Sequence, residues 1–311
     1  MKKETLNITH PELCKEWHPT LNGDLTPEKV TAGSDAKVWW LVNAPHPITG
    51  EMWSLPWEAY IKDRAKKGVG CPYLSKNPKA FAGFNDLGTM RPDIAAEWHP
   101  TKNGTLTPSQ RTEKSNDTVW WLTYLEHPVT KQPWPIEWEG KISKRTVDGY
   151  TCKRYTETHV IKGFNDLATV RPDLAAEWHP TMNGDLTPED VTYTANSPKR
   201  WWLKKEKAPV TGKLCDLPWE ATINSRYHGR GCPYTAKSNP EVLAGFNDLA
   251  SQYPEVAAEW HPTLNGDLTP DKVAYHSTQS AYWLIAGKVE QKSKVSTMVG
   301  RFKKNTGLRN D

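Results

Sequence analysis

Four copies of one short run, Glu-Trp-His-Pro-Thr, constrain this chain more than any other feature. They occupy residues 16–20, 97–101, 177–181 and 259–263, and their tryptophans stand 81, 80 and 82 residues apart. Self-similarity at a fixed period means that one supersecondary unit has been used repeatedly. The period divides the 311 residues into repeat 1 (1–82), repeat 2 (83–162), repeat 3 (163–244) and a degenerate repeat 4 (245–311) that ends in a basic tail and acts as a C-terminal cap. A unit of about 80 residues lies near the lower limit for a self-sufficient core. All sixteen tryptophans fall within the repeat pattern, which favours core building over scattered surface contacts.

Each repeat predicts the same succession of elements. Pro172 and Asp173 suit the start of a helix, Leu174 and Trp178 share a face of it, and His179-Pro180 stops it. Asn183-Gly184, matched at Asn22-Gly23, Asn103-Gly104 and Asn265-Gly266, is a tight turn. Thr187-Pro188-Glu189-Asp190 predicts a second short helix with threonine as its cap. Trp39-Trp40, Trp120-Trp121, Trp201-Trp202 and Tyr282-Trp283 then open strands. In the first three repeats the second of these tryptophans precedes the next strand's tryptophan (Trp57, Trp138, Trp219) by 17 residues, which predicts a hairpin with a fixed, proline-started turn. Neighbouring strand residues face opposite ways, so one ring of each Trp-Trp pair enters the core and the other meets a neighbouring unit, a flanking loop or a partner, with the second indole as open to a stacking role as to a core one. An arginine recurs after the hairpin, at Arg64, Arg145, Arg226 and Arg301. Asn77-Pro78 and Asn239-Pro240 predict one more capped helix, closed by Gly83 and Gly245. Without charged or Ser/Gly-rich linkers, the repeats are expected to stack as neighbours of near-constant geometry.

The run from Gly163-Phe164-Asn165-Asp166-Leu167 through Glu177-Trp178-His179-Pro180-Thr181, Thr187-Pro188, Trp201-Trp202 and Gly231-Cys232-Pro233-Tyr234 resembles the bacterial zinc-ribbon repeat family of treble-clef type. The resemblance covers nearly the whole chain. It implies an α+β fold of tandem treble-clef-like units, nucleic-acid binding, and a zinc site in each unit. The positions that would hold zinc carry other residues here: Val42, Thr123, Lys204 and Ile285 at the first, Leu55, Ile136 and Leu217 at the second, Leu74 and Thr235 at the last. Only Cys71, Cys152 and Cys232 remain, and one thiol cannot supply the four ligands of a structural zinc. No metal or other cofactor is therefore expected. The longer apolar hairpin, with Trp53, Trp134 or Cys215 at matching positions, is the expected replacement staple.

Five cysteines at long spacings do not form a disulfide framework, and neither a leader-like nor a membrane-spanning run is present, so the expected location is cytoplasmic. The histidines His18, His99, His179 and His261 read as helix-terminal groups bonding a carbonyl or interacting with the helix end rather than as metal ligands, and the repeated glutamates as structural. No catalytic motif is recognisable, and no enzymatic activity or small-molecule substrate is expected. Residues 286–311 carry seven Lys/Arg against two acids, leaving the remainder at −1 of the total +4. The expected function is non-enzymatic nucleic-acid binding, DNA or RNA, by recurrent arginine loops. Those loops comprise Arg64 with Lys66 and Lys67, Lys144 with Arg145, Arg226 with Arg230, and Arg301 with Lys303 and Lys304. The alternative is a protein-interaction scaffold, for example a phage or mobile-element factor that docks on a host or defence protein.

Overall fold

The computed structural model describes residues 4–236 and 240–307. Each repeat contributes one two-stranded antiparallel sheet. The pairs are β1 (Lys37–Pro45) with β2 (Met52–Tyr60), β3 (Thr118–Glu126) with β4 (Pro133–Lys141), β5 (Arg200–Lys207) with β6 (Leu214–Ala221), and β7 (Ser280–Ile285) with β8 (Lys288–Lys294). Short helices surround them, so the fold is a tandem α+β repeat. The chain divides into two compact units, Met1–His127 with Lys131–Thr158, and Pro128–Thr130 with His159–Asp311.

The 17-residue spacing is a pairing register. Trp40 stands directly opposite Trp57, Trp121 opposite Trp138 and Trp202 opposite Trp219. These inward rings form the middle of each core, with Trp40, Trp121, Trp202 and Trp283 wholly buried. Sequence alone left open whether the second indole of each pair is core or surface, and here it is core. It is the first ring, Trp39, Trp120, Trp201 or Tyr282, that is half-buried on the outer face. The buried position suits the second ring because its N–H finds an acceptor: Trp40 Nε1 donates to the Ala59 carbonyl at 3.1 Å, and Trp202 Nε1 to Ala221 at 3.0 Å.

The free edge of each first strand is covered by the signature motif itself. Trp17, Trp98, Trp178 and Trp260 form single β-bridges with Trp40, Trp121, Trp202 and Trp283. In repeat 3 the helices are Leu167–Val170 and Pro172–Ala175, so Trp178 lies beyond the helix rather than on it. Asp166 caps the first of these by accepting the Thr169 amide, and Pro172 opens the second. The Asn-Gly turns have their glycines at φ 57–64°. Their asparagines do more than turn: Asn22 accepts the Trp39 N–H at 2.7 Å and donates to the Trp39 carbonyl at 2.9 Å, and Asn103, Asn183 and Asn265 repeat this clamp on Trp120, Trp201 and Tyr282. The histidine rings accept rather than bond a carbonyl; His18 Nδ1 takes the amides of Thr20 and Leu21.

Two predicted helices differ. Pro188–Asp190 is a single 3-10 turn with Thr187 as its N-cap in a capping box, the Asp190 carboxylate accepting from the Thr187 amide and hydroxyl. Residues 78–82 form no helix, because Asn85 Oδ1 takes the Phe81 amide while its Nδ2 donates to the carbonyls of Tyr73 and Lys79, holding the segment as turns. Asn239 lies outside the described residues.

The hairpin tips close the joints within each unit. His46 Nε2 donates to the Gly83 carbonyl at 3.0 Å while its Nδ1 accepts the Ile48 and Thr49 amides. Trp53 and Phe84 pack on the same imidazole, and Phe84 completes the core of repeat 1. In the other unit Ala208 replaces the histidine. Gln252 Oε1 accepts the Val210 and Thr211 amides, and the Cys215 thiol donates to the Gly245 carbonyl. The Trp53, Trp134 and Cys215 positions thus belong to hairpin tips; at Trp53 and Cys215 they fasten the joint to the next repeat.

Candidate functional site

The recurrent arginines do not sit on loops. Arg64, Arg145 and Arg226 lie on the helices that follow each hairpin, Ile61–Lys67, Ile142–Thr146 and Ile223–Tyr227, and Arg301 lies on the longer Val295–Thr306. Each arginine lies three positions after a buried isoleucine, so the two share the inward face. Arg64 and Arg226 are each 5% exposed. Arg64 Nη2 meets Glu16 at 2.6 Å, Arg145 meets both oxygens of Glu97 at 2.6 and 2.9 Å, and Arg226 pairs with Glu177. The guanidinium carbon of Arg64 lies 4.6 Å from the Trp40 ring and 5.0 Å from the Trp57 ring, and that of Arg226 lies 5.1 Å from both Trp202 and Trp219. Each is a cation between two indole faces, closed by a carboxylate. Burial pushes the Arg226 guanidinium down, and the Glu177 charge opposes that shift. The assignment of Arg64, Arg145 and Arg226 to phosphate contacts is corrected accordingly: their charges are matched inside their own repeats.

The lone thiols sit beside these pairs. Burial is the main influence raising Cys71, Cys152 and Cys232, with the charges of Glu16 and Arg64, or Glu97 and Arg145, acting on the first two. Leu55, Ile136 and Leu217, at the lost ligand positions, are wholly buried and apolar. Among the described residues no three His, Cys, Asp or Glu side chains gather into a metal-holding group. A structural zinc does not fit this donor set.

Of the remaining predicted cations, Lys66, Lys67, Lys144, Arg230, Arg301 and Lys304 are exposed and Lys303 is half-buried over the Tyr253 ring. Lys67 pairs with Asp63. The outer sheet faces carry the rest of the accessible chemistry. Trp39, Trp120 and Trp201 stand opposite Glu58, Glu139 and Glu220. In repeat 4 this face turns basic: exposed Lys294 stands opposite Ser280 on the Tyr282 face and exposed Lys292 lies 4.9 Å from the Tyr282 ring, while exposed Lys288 stands opposite Ile285 near the turn of the hairpin. Sequence reasoning weighed these lysines only as part of a tail; the signal was present in the loss of the acidic partner that the other repeats carry.

A family model described as a probable treble clef zinc finger domain matches residues 13–74, 174–237 and 256–304, more than half of the chain. The chain belongs to this treble clef family. No curated protein gives a significant match. The matched segments each run from the signature motif through the hairpin, so the treble clef assignment and the repeating core describe the same residues, in a form that has lost most zinc ligands. Treble clef zinc fingers as a class point to nucleic-acid or protein binding in general. No helix among the described residues is long and apolar enough to cross a membrane.

Proposed function

We propose that this chain is a non-enzymatic nucleic-acid-binding repeat protein whose main phosphate contacts come from its C-terminal repeat. The observation that carries this reading is the reversal of charge on the outer face. Three repeats place a glutamate across from the half-buried indole, which disfavours a phosphate directly over that ring, whereas in the fourth Lys292 lies beside the tyrosine ring and Lys294 stands on the same face. Lys288, Lys292 and Lys294 on β8, with Arg301, Lys303 and Lys304 on the following helix, supply a local basic patch on a chain that is otherwise close to neutral. Lysines that contact phosphate hold the backbone without reading bases, so little sequence preference is expected.

Titration against duplex DNA, single strands and RNA over a range of salt tests the proposal. Affinity should fall steeply with salt, and each phosphate-contacting cation removed from Lys288, Lys292 and Lys294 by alanine should flatten the log–log slope for duplex by up to about 0.9. Wild type showing no salt-sensitive binding to any nucleic acid ends this reading. The scaffold alternative would then stand on the exposed apolar residues of the hairpins, Met52, Tyr124 and Leu214.

A further inference from the structure

Repeat 3 contains a cleft of about 730 Å³ beside Trp201. Its lining includes Lys199, Trp201, Glu220, Arg230, Tyr234 and Glu241. We propose that this cleft binds one nucleotide of a single strand. The base stacks on Trp201, the phosphate meets Lys199 and Arg230, and an exocyclic amine of the base donates to Glu220 or Glu241. The proposal rests on the nucleic-acid reading above and narrows it to single strands and to bases that bear an amine.

The volume lies in the range of small-ligand sites, about 300–1,000 Å³. The stacking surface is held rigidly: Asn183 clamps both the N–H and the carbonyl of Trp201 at 2.8 Å, and the ring itself stays half-buried on the outer face. Base–aromatic stacking is a recurring means of holding single strands. A paired base inside a duplex offers no free face to such a ring.

The cations are available. In repeat 1 the equivalent lysine, Lys37, closes an ion pair with Glu58 at 2.8 Å. Lys199 makes no such pair with Glu220, and neither it nor Arg230 has an ion-pair partner among the described residues. Arg230 is a cation where repeat 1 has Val69. Its carbonyl accepts from the buried Arg226 at 2.7 Å, so the cation–indole box of this repeat positions the rim of the cleft.

The balance of charge selects the ligand. Two cations and two carboxylates line one cleft, and a purely anionic or purely cationic ligand would meet repulsion from one pair. A nucleotide unit with an amino group matches both. Glu220 stands directly across from Trp201, within about 4.5–5.5 Å between Cβ atoms, close to the edge of a stacked base. Carboxylates accept from the cytosine amine, whereas the thymine O4 is an acceptor and would face them unfavourably.

The test uses full-length protein and single-stranded oligodeoxycytidylate and oligothymidylate of about ten nucleotides, within the span of a single-strand site. Oligodeoxycytidylate should bind more tightly. Trp201→Ala should lower its affinity about tenfold, Trp201→Phe should restore most of it, and Arg230→Ala should flatten the salt slope by up to about 0.7. All three variants should keep the wild-type thermal midpoint and duplex affinity. Equal binding of the two oligonucleotides overturns the carboxylate contacts. Unchanged single-strand affinity in folded Trp201→Ala and Arg230→Ala overturns the cleft while leaving the C-terminal patch in place. Loss of duplex binding in the β8 lysine variants, with cytidylate binding retained, separates the two surfaces. No binding of any nucleic acid by wild type removes both.

Discussion

A buried guanidinium is stable only if its charge is answered, and in this protein the two partners of each pair are unequally exposed. The Arg64 side chain is 4% exposed and that of Glu16 is 34% exposed. Removing the glutamate strands a cation between two indoles, at a cost of roughly 3–5 kcal/mol for a broken buried pair. Removing the arginine leaves a carboxylate that water already reaches, and a methionine keeps much of the packing. Glu16→Ala should therefore destabilise more than Arg64→Met, and chemical denaturation of the two variants with equal slopes checks this; the reverse order would mean that the indole faces, not the carboxylate, carry the cation. This box was only half legible in the sequence. Arginines flanked by Lys66 and Lys67 read as surface cations. The signal that points inward is the co-recurrence of opposite charges: each arginine follows its glutamate by 48 or 49 residues.

At the scale of elements, the hairpins were legible and the short helices less so. Seventeen residues between tryptophans fix a register, because cross-strand pairs tolerate no slip when one face is buried. A stretch such as residues 78–82 carries the helix-start chemistry of Asn-Pro, yet the Asn85 side chain captures its backbone groups and tertiary contacts override the local preference. The joints were not legible, since they depend on which side chain reaches a hairpin tip from a distance. Gln252 is 2% exposed and accepts the Val210 and Thr211 amides at 2.9 and 3.4 Å. Gln252→Ala should leave these donors without that acceptor at a cost of about 1–3 kcal/mol, and hydrogen exchange at Val210 and Thr211 should accelerate, whereas the amides of Ile48 and Thr49, held by His46, should exchange as before. Unaltered exchange at all four positions would show that Gln252 does not secure the tip.

At the scale of the whole molecule, four cores are assembled from aromatic and aliphatic side chains where the family's name implies a metal in each. Chelation should leave the thermal midpoint unchanged, and elemental analysis should show no stoichiometric metal; about one zinc per repeat would overturn the treatment of Cys71, Cys152 and Cys232 as packed thiols. The family and fold class were readable because the motifs recur in order over most of the chain. The accessible surface was harder to read, because exposure is not periodic: the position two residues before the outer ring holds a paired Lys37 in one repeat and an unpaired Lys199 in another. The two ways of fastening the hairpin tip also give the array a direction. In the first unit the fastening residue, His46, comes from the leading repeat; in the second, Gln252 comes from the trailing one. Repeat 2 has Met90 where repeat 4 has Gln252. A chimera that placed repeat 2 behind repeat 3 would bring neither His46 nor Gln252 to the tip and would rely on the Cys215 thiol alone, whereas one that placed repeat 4 behind repeat 1 would bring both. Similar as they look in sequence, the repeats are not interchangeable parts, and a duplication or deletion should be tolerated best where the seam it creates still has a side chain to close the tip.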